Sequence, residues 1–350
     1  KKMTNSILNK PEIKNKFIIN KVKNLSVFKL NYEKLLTIRF VEEKISDEVL
    51  KGNIKTPCHL SIGQEAIAIG MSRYFKKGDS VYSTHRSHAH FFASGGSLEK
   101  LISEIIGSHN GASKGMGGSM HLCHNEFTKF FSTPIVAGTI PISLGSAYYF
   151  KHIKKSKNLS ICFFGDGATE EGVFHESMNF ASRYDLPIIF ICENNLYSSH
   201  LDIKLRQTSD YTKRFADSFG IKSKIVNGNN IEEVANATQD IFEYSRKNSK
   251  PSYIEAVTFR LVGHVGGSLD IDVGVRRNKE ELDNWIKKDP VKLIEDYLIK
   301  NKIYSEKMIR LKRQLAKNTV SNIFIKCQKN FKNPKKDVLD KFHRSSFNER

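Results

Sequence analysis

Two short apolar runs, at residues 159–164 and 188–192, constrain the fold of this chain more than any other feature. Both runs are continuous, the pattern of strands buried on both faces, and the segment between them (168–183) has apolar residues at helical spacing. Neither run is long enough to cross a bilayer. Strand, helix and strand in this order predict a βαβ unit of an α/β fold, a doubly wound and mostly parallel sheet with helices on both faces.

Further patterned segments surround this unit. Apolar residues at helical or strand spacing predict helices over 32–45, from about 61, over 142–151 and from 290, and strands at 80–83 and 252–258. The glycine-rich segment 107–118 is expected to be a loop.

The chain shows no convincing internal linker. We therefore expect one large α/β domain at residues 31–300. A basic, Asn-rich peripheral arm would precede it at 1–30, and a basic helical extension would follow at 301–350.

The net charge of +19, from 56 Lys and Arg against 37 Asp and Glu, raises the question of nucleic-acid binding. No groove-reading motif accompanies the charge, so a solvated basic surface is the preferred interpretation and no nucleic-acid partner is expected. A basic surface would also attract an acidic partner subunit or an anionic substrate.

The five cysteines form no CxxC pair, and no secretory or membrane segment is recognised. A soluble, cytoplasmic protein without membrane attachment is expected.

Asp166 and Asn195 each follow one of the two buried runs. Ligands of doubly wound sheets bind outside the carboxyl ends of the strands, so these side chains should lie close together. Carboxylate and amide oxygens suit magnesium, which commonly binds phosphate oxygens as well. Gly165 and Gly167 would allow a diphosphate close to the backbone, at the start of the following helix. A Gly-Asp-Gly tripeptide alone is usually only a turn; its position between strand and helix favours the site.

The segment GDGATEEGVFHESMNFASRYDLPIIFICENNLY (165–197) closely resembles the thiamine diphosphate motif. In detail the chain resembles the α subunit of the decarboxylating component of 2-oxo acid dehydrogenase complexes, the pyruvate and acetoin dehydrogenase type. The resemblance covers about residues 32–300. It includes CHLSIGQEA (58–66), STHRSHAHF (83–91), KGMGGSMH (114–121), STPIVAGTIPISLGSA (132–147) and RLVGHVGG (260–267).

The resemblance implies a thiamine diphosphate-binding fold and a magnesium site. The metal would be held by the side chains of Asp166 and Asn195 and by the backbone carbonyl of Tyr197. The backbone N–H groups of Gly167 and Ala168 would donate to the diphosphate.

The resemblance also implies roles for residues far from this motif. His59, His85 and Arg86 would line the diphosphate region, where fixed donors and cations suit an anion. Val136 would contact the aminopyrimidine ring through its backbone. His264, on a loop over the entrance, would contact the cofactor and act as a catalytic residue on the substrate or intermediate.

The remaining histidines have alternative interpretations. The alternation of His85, His88 and His90 would fit a transition-metal site, but further spaced ligands are missing. His88 is a candidate for catalytic proton transfer, and an ordinary structural hydrogen bond is an equal alternative. His175 begins a pattern typical of zinc proteases, but Asn179 stands where the second histidine is needed.

Thiamine catalysis in two-subunit members of this family uses a glutamate that the β subunit provides. The resemblance therefore implies that this chain is inactive alone and works with a β subunit, two α with two β. It also implies decarboxylation of a small 2-oxo acid and transfer of the acyl group to the lipoyl domain of an acyltransferase. Acetoin cleavage and a non-oxidative thiamine-dependent lyase remain alternatives. A noncatalytic basic binding protein is the alternative of another class.

Overall fold

A seven-stranded sheet forms the centre of the computed structural model, which describes residues 6–10, 13, 17–269 and 271–333. Its strands are β1 (Ser80–Ser83), β2 (Cys123–Asn125), β3 (Lys129–Ser132), β4 (Ser160–Gly165), β5 (Ile188–Asn194), β8 (Lys222–Asn227) and β9 (Ser252–Val257). Two hairpins, β6–β7 (Tyr197–Ser198 and Leu201–Asp202) and β10–β11 (Ile271–Asp272 and Val275–Arg276), lie outside it. The sheet order is β2-β3-β1-β4-β5-β9-β8, and only the β2–β3 pair is antiparallel. The expected mostly parallel α/β sheet is confirmed.

Helices cover both faces of this sheet. They are α1 (Leu25–Leu50), α2 (Glu65–Ser72), α3 (His88–Ala93), α4 (Leu98–Ile105), α5 (Thr139–Tyr148), α6 (Gly172–Arg183), α7 (Ile203–Arg206), α8 (Lys213–Ser218), α9 (Ile231–Asn248), α10 (Lys279–Ile286), α11 (Pro290–Lys300) and α12 (Glu306–Lys329). Successive side chains of β4 alternate between two cores: Phe163 packs with the cluster that includes α1, α2 and α9, and Phe164 with the one that includes α5 and α6. This alternation explains why the strand sequence is continuously apolar.

Several element boundaries differ from those expected. Helix α1 begins at Leu25 rather than near residue 32, because the side chain of Asn24 accepts a hydrogen bond from the backbone N–H of Val27 at 3.0 Å and caps the helix. Helix α6 begins at Gly172 rather than at 168. A 3-10 turn, Asp166–Glu170, precedes it, in which the hydroxyl of Thr169 donates to the Asp166 carbonyl at 2.7 Å.

Both terminal segments contact the domain where they are described. Ile7 is fully buried, and its backbone N–H donates to Asp210 at 2.8 Å. Helix α12 packs on α1 and α4. Parts of both predicted extensions, including 334–350, lie outside the described residues.

The register of the sheet brings the two predicted metal ligands to one edge. Gly165, the last residue of β4, pairs with Glu193 of β5, and Asn194 pairs with Val257 of β9. Asp166 and Asn195 therefore follow neighbouring parallel strands at the same carboxyl-terminal edge, as the βαβ interpretation required.

A buried ion pair joins three helices behind this edge. Arg39 of α1 contacts both carboxylate oxygens of Glu65 at the start of α2, with Nη2 3.1 Å from Oε2, and its Nη1 lies 2.8 Å from Asp289, which caps α11. Glu65 is fully buried and also accepts the backbone N–H of Gly63 at 2.9 Å. The Arg39 guanidinium thus compensates a carboxylate that has no access to solvent.

Removal of that guanidinium should be costly. Breaking a buried pair leaves an uncompensated charge, so we expect Arg39→Met to lower the free energy of unfolding by roughly 3–5 kcal/mol in urea unfolding. Lys34→Met, on the same helix and without a buried carboxylate partner, is the control and should change it by about 0.5 kcal/mol or less. Equal effects of the two substitutions would contradict the role assigned to Arg39.

Candidate active site

A cleft of about 280 Å³ opens at the carboxyl-terminal edge of the sheet. The segments that follow β1, β3, β4, β5 and β9 all contribute to its wall. All the residues to which the resemblance assigned a cofactor contact line it: His59, His85, Arg86, Val136, Asp166, Gly167, Ala168, Asn195, Tyr197 and His264. The position of the cleft is the one expected for a ligand of a doubly wound sheet.

Asp166 has the environment of a metal ligand. Its side chain is 1% exposed, and its Oδ1 has no hydrogen-bond partner among the described residues. Its Oδ2 accepts a hydrogen bond from Arg206. Burial raises the pKa of this carboxyl group, and the charge of Arg206 partly offsets the effect. A buried oxygen without a partner, at the wall of a cleft, is the feature that a hard cation would satisfy.

Asn195 is held in one orientation. Its side-chain nitrogen donates to Gln64 Oε1 at 2.9 Å, and its Oδ1 accepts the backbone N–H of Tyr197 at 3.2 Å. Gln64 is the residue immediately before α2, so the position of this helix also sets the direction of the Asn195 amide. The phenol of Tyr197 donates to Glu281 at 2.6 Å, and Tyr197 also lines the cleft.

The glycines beside Asp166 are sterically different from each other. A Cβ on Gly167 would lie 2.5 Å from the hydroxyl oxygen of Ser198, a contact closer than real structures allow. A Cβ on Gly165 would meet nothing within 4 Å. Gly167 is therefore required by packing against Ser198, whereas Gly165 leaves open space in the cleft wall, as an approaching anion needs.

Three histidines form a cluster in the lining of the same cleft. The nearest nitrogens of His59, His85 and His264 lie within 4.8 Å of one another. Burial, together with the charge of Arg86, lowers the pKa of His59 to about 3 and that of His264 to about 3, and it places the pKa of His85 well below its usual value. Three neutral imidazoles would suit a transition-metal ion, but the adjacent guanidinium of Arg86 makes this wall better suited to an anion.

The family comparison agrees with this cleft. Residues 33–335 match the model of the dehydrogenase E1 component family. This chain belongs to that family.

Individual relatives show the same affiliation. The α subunit of an acetoin:2,6-dichlorophenolindophenol oxidoreductase from Bacillus subtilis is 35% identical over 270 residues, 77% of this chain and 80% of that protein. The pyruvate dehydrogenase E1 component subunit α of Rickettsia prowazekii is 32% identical over 309 residues, 88% and 93% of the two chains. The corresponding subunit of Rhizobium meliloti is 34% identical over 265 residues, 75% and 74%.

The resemblance seen in the sequence is thereby confirmed, as is the enzyme class. With it comes the dependence of the E1 family on thiamine diphosphate, with magnesium as the usual metal. The noncatalytic alternative is not favoured. No described helix is long and apolar enough to span a membrane.

His88, a catalytic candidate in the sequence, does not line the cleft of this E1 chain. It is fully buried, with Nδ1 2.8 Å from Glu42 and Nε2 2.8 Å from the hydroxyl of Ser119. Burial alone would raise the pKa of Glu42, but the charge of His88 and hydrogen bonds from Ser61 outweigh it and lower that pKa. Both ring nitrogens of His88 are engaged, which fits the structural alternative. His88 and His90 also lie outside the histidine cluster, which the spacing of the sequence did not predict.

Glu104 organises the glycine-rich loop beside the cleft. Its carboxylate accepts hydrogen bonds from the backbone N–H groups of Ser113, Gly115, Gly117 and Gly118, at 2.6–3.2 Å. One buried side chain thus fixes the segment that continues to Met120, which lines the cleft of the E1 chain.

Several residues of the site were not anticipated from the sequence. Arg260 lines the cleft and donates to the carbonyl of Ser199 at 2.6 Å; its position in RLVGHVGG, four residues before His264, would have been a usable signal. Gln64 lies in CHLSIGQEA and offered a similar one. Arg206 lies in no recognised motif, and nothing in the sequence marked it.

The depressed histidine pKa values predict a pH dependence of stability. A free histidine titrates near 6.5, so between about pH 3 and 6.5 the unfolded chain binds protons that the folded His59 does not. The free energy of unfolding should therefore fall as the pH falls through this window. We expect His59→Asn to reduce the slope by up to about 1.4 kcal/mol per pH unit between about pH 5 and 6.

Urea unfolding of both proteins at several pH values measures this slope. Above about pH 7.5 the two curves should be parallel, because His59 is then neutral in both states. An unchanged slope between pH 5 and 6 would show that His59 is not a buried neutral imidazole.

Proposed function

We propose that this chain is the α subunit of an E1 enzyme that decarboxylates a small, pyruvate-like 2-oxo acid and passes the acyl group to a lipoyl carrier. The observation that carries the proposal is the cleft itself. A buried carboxylate oxygen without a partner and an oriented amide line the same cleft as a cationic, histidine-rich group of side chains. This combination fits a metal-bound diphosphate.

Asp166, Asn195 and Tyr197 would hold the magnesium ion. The free Oδ1 of Asp166 supplies a charged oxygen, and the Asn195 amide, fixed by Gln64, supplies a neutral one. The backbone carbonyl of Tyr197 would be the third protein ligand. Hard oxygen ligands together with substrate-derived phosphate oxygens are the usual surroundings of magnesium in proteins.

The diphosphate would be bound by two sets of residues that line the cleft. Gly167 and Ala168, in the turn after β4, would donate their backbone N–H groups to the diphosphate. The second set, His59, His85 and Arg86, would contact the same diphosphate. The neutral imidazoles can donate one hydrogen bond each, and Arg86 contributes a permanent positive charge.

Val136 and His264 would act on the two ends of the bound cofactor. Val136, at the rim and 51% exposed, would contact the aminopyrimidine ring through its backbone. His264 lies 3.4 Å from Arg86 through Nδ1, on the segment that leads into the β10–β11 hairpin, and would orient the substrate as a neutral imidazole. When bound, thiamine diphosphate supplies an electron sink for the decarboxylation.

A β subunit would complete the site. Among the described residues that line the cleft, the carboxylates are Asp166 and Glu193, and Glu193 already lies 3.1 Å from His90 Nε2. Neither is free to activate the aminopyrimidine ring. Ile135 and Val136 are 67% and 51% exposed at the rim, where an apolar contact with another subunit would cover them. We therefore expect an α2β2 assembly that meets a lipoyl domain of an acyltransferase.

Acetoin cleavage is the second candidate. The relative from Bacillus subtilis that covers 77% of this chain is described by its acetoin activity. Both reactions need the same metal and diphosphate site, so the two differ in the substrate and not in the assignments above. A parallel assay with pyruvate and acetoin separates them.

Asp166→Asn tests the proposed function. The variant, co-expressed with the β subunit, keeps the shape of the side chain but loses its charge. We expect calorimetry with thiamine diphosphate and magnesium to show a loss of affinity larger than the roughly 10–100-fold typical of an outer-shell partner. Decarboxylation, followed with an artificial electron acceptor, should fall with it.

Asp296→Asn is the matched control. Asp296 is an exposed carboxylate on α11 that pairs only with Lys292 among the described residues, and its loss should leave both measurements unchanged. Metal-dependent cofactor binding that survives Asp166→Asn would refute the site assignment.

A further inference from the structure

The positive charge of Arg206 lies next to Asp166, the proposed metal ligand. It is the last residue of the short helix α7, and its guanidinium bridges the carboxylates of Asp166 and Glu170. Its Nε also donates to the carbonyl of Leu201 at 3.1 Å. The Arg206 side chain is 8% exposed, so this charge is held inside the cleft wall and not in solvent.

The two carboxylates that Arg206 bridges differ in burial. Asp166 is 1% exposed, whereas the Glu170 side chain is 34% exposed and also accepts a hydrogen bond from Gln207 Nε2 at 2.9 Å. A charged Asp166 therefore depends on a nearby cation, while Glu170 does not. Glu170 is therefore a second, more exposed carboxylate that can pair with Arg206 when Asp166 binds another cation.

A divalent ion and a guanidinium cannot share Asp166 without cost. Only Oδ1 is open, and a metal bound there would lie within a few ångströms of the Arg206 charge, in a site where water screens poorly. Displacement of Arg206 toward Glu170 removes most of that repulsion. The segment allows it: α7 has four residues, Leu205 is 79% exposed, and the preceding hairpin β6–β7 has two residues per strand.

We propose that Arg206 is a resident counter-cation that competes with the divalent metal for Asp166. Without metal, the Arg206 guanidinium pairs with the buried Asp166 carboxylate. When the metal binds Oδ1, Arg206 releases Asp166 and keeps only Glu170. The proposal rests on the proposed function, because it takes Asp166 as a metal ligand.

Competition predicts opposite effects on the metal-free and metal-bound protein. Loss of the guanidinium should destabilise the metal-free protein, because Asp166 is then buried without a cation. The same loss should tighten metal binding, because nothing has to be displaced. A residue that merely supports the fold would lower stability without raising metal affinity.

The test is a Mn²⁺ titration followed by electron paramagnetic resonance, on the chain co-expressed with its β subunit. We expect Arg206→Met to bind Mn²⁺ on the order of 10-fold more tightly than wild type, because the fraction of protein in which Asp166 is already occupied by Arg206 no longer lowers the apparent affinity. Lys204→Met, an exposed residue on the same helix, removes the same charge without contact to Asp166 and should change the affinity little. The thermal midpoint of the metal-free Arg206→Met protein should also fall.

A second pair of variants tests the role of Glu170. These variants remain informative if Arg206→Met does not fold. Glu170→Gln removes the residue that receives Arg206, so Mn²⁺ binding should weaken severalfold. Glu171→Gln, the exposed neighbour, removes the same charge and should weaken it less. In an Arg206→Met background, Glu170→Gln should have no more effect than Glu171→Gln.

Asp166→Asn distinguishes the two possible failures. If it leaves Mn²⁺ binding unchanged, the metal site is wrong, and the Arg206 proposal fails with it. If Asp166→Asn abolishes binding but Arg206→Met binds Mn²⁺ no more tightly than Lys204→Met, only the competition is refuted. Weaker binding by Arg206→Met would assign Arg206 to holding the anion instead.

Discussion

A single buried carboxylate determines how this site is built. Asp166 lies at the end of a strand that has no exposed side, and an ionised group in that position requires a compensating cation. Arg206 provides one in the structure, and a metal ion at the open Oδ1 would provide another. The oriented amide of Asn195 and the open space beside Gly165 belong to the same cleft. The chemistry of the cleft follows from the charge that the fold buries there.

The central part of the fold could be predicted from the sequence because its strands are buried on both faces. β4 and β5 contain continuous apolar runs, β9 is buried along its whole length, and the turn after β4 carries its glycines at the point where the chain leaves the sheet. β8 was missed since it lies at the edge, and its sequence KSKIVN mixes charged and apolar residues. β2 and β3 were missed for a similar reason: they are short, half-exposed strands, β2 at the opposite edge and β3 next to it.

The residues of the site also fall into those that the sequence could predict and those that it could not. The residues to which the resemblance assigned a cofactor contact all line one cleft, and the motifs marked them because a ligand would set the type and spacing of such residues. Gln64, Glu104 and Arg206 act on other protein groups, an amide, a loop backbone and a carboxylate, and only tertiary structure shows these partners. His88 shows the converse. Its place in a histidine-rich segment left a catalytic and a structural role equally open, and packing places both of its nitrogens in a buried network with Glu42 and Ser119.

The most direct measurement is a crystal structure of the assembled α and β subunits with thiamine diphosphate and Mn²⁺, using the anomalous signal to locate the metal. We predict one manganese peak at each cofactor, ligated by Asp166 Oδ1, Asn195 Oδ1 and the backbone carbonyl of Tyr197. A fully occupied cofactor with manganese bound to other residues, or with no manganese beside Asp166, would contradict the account.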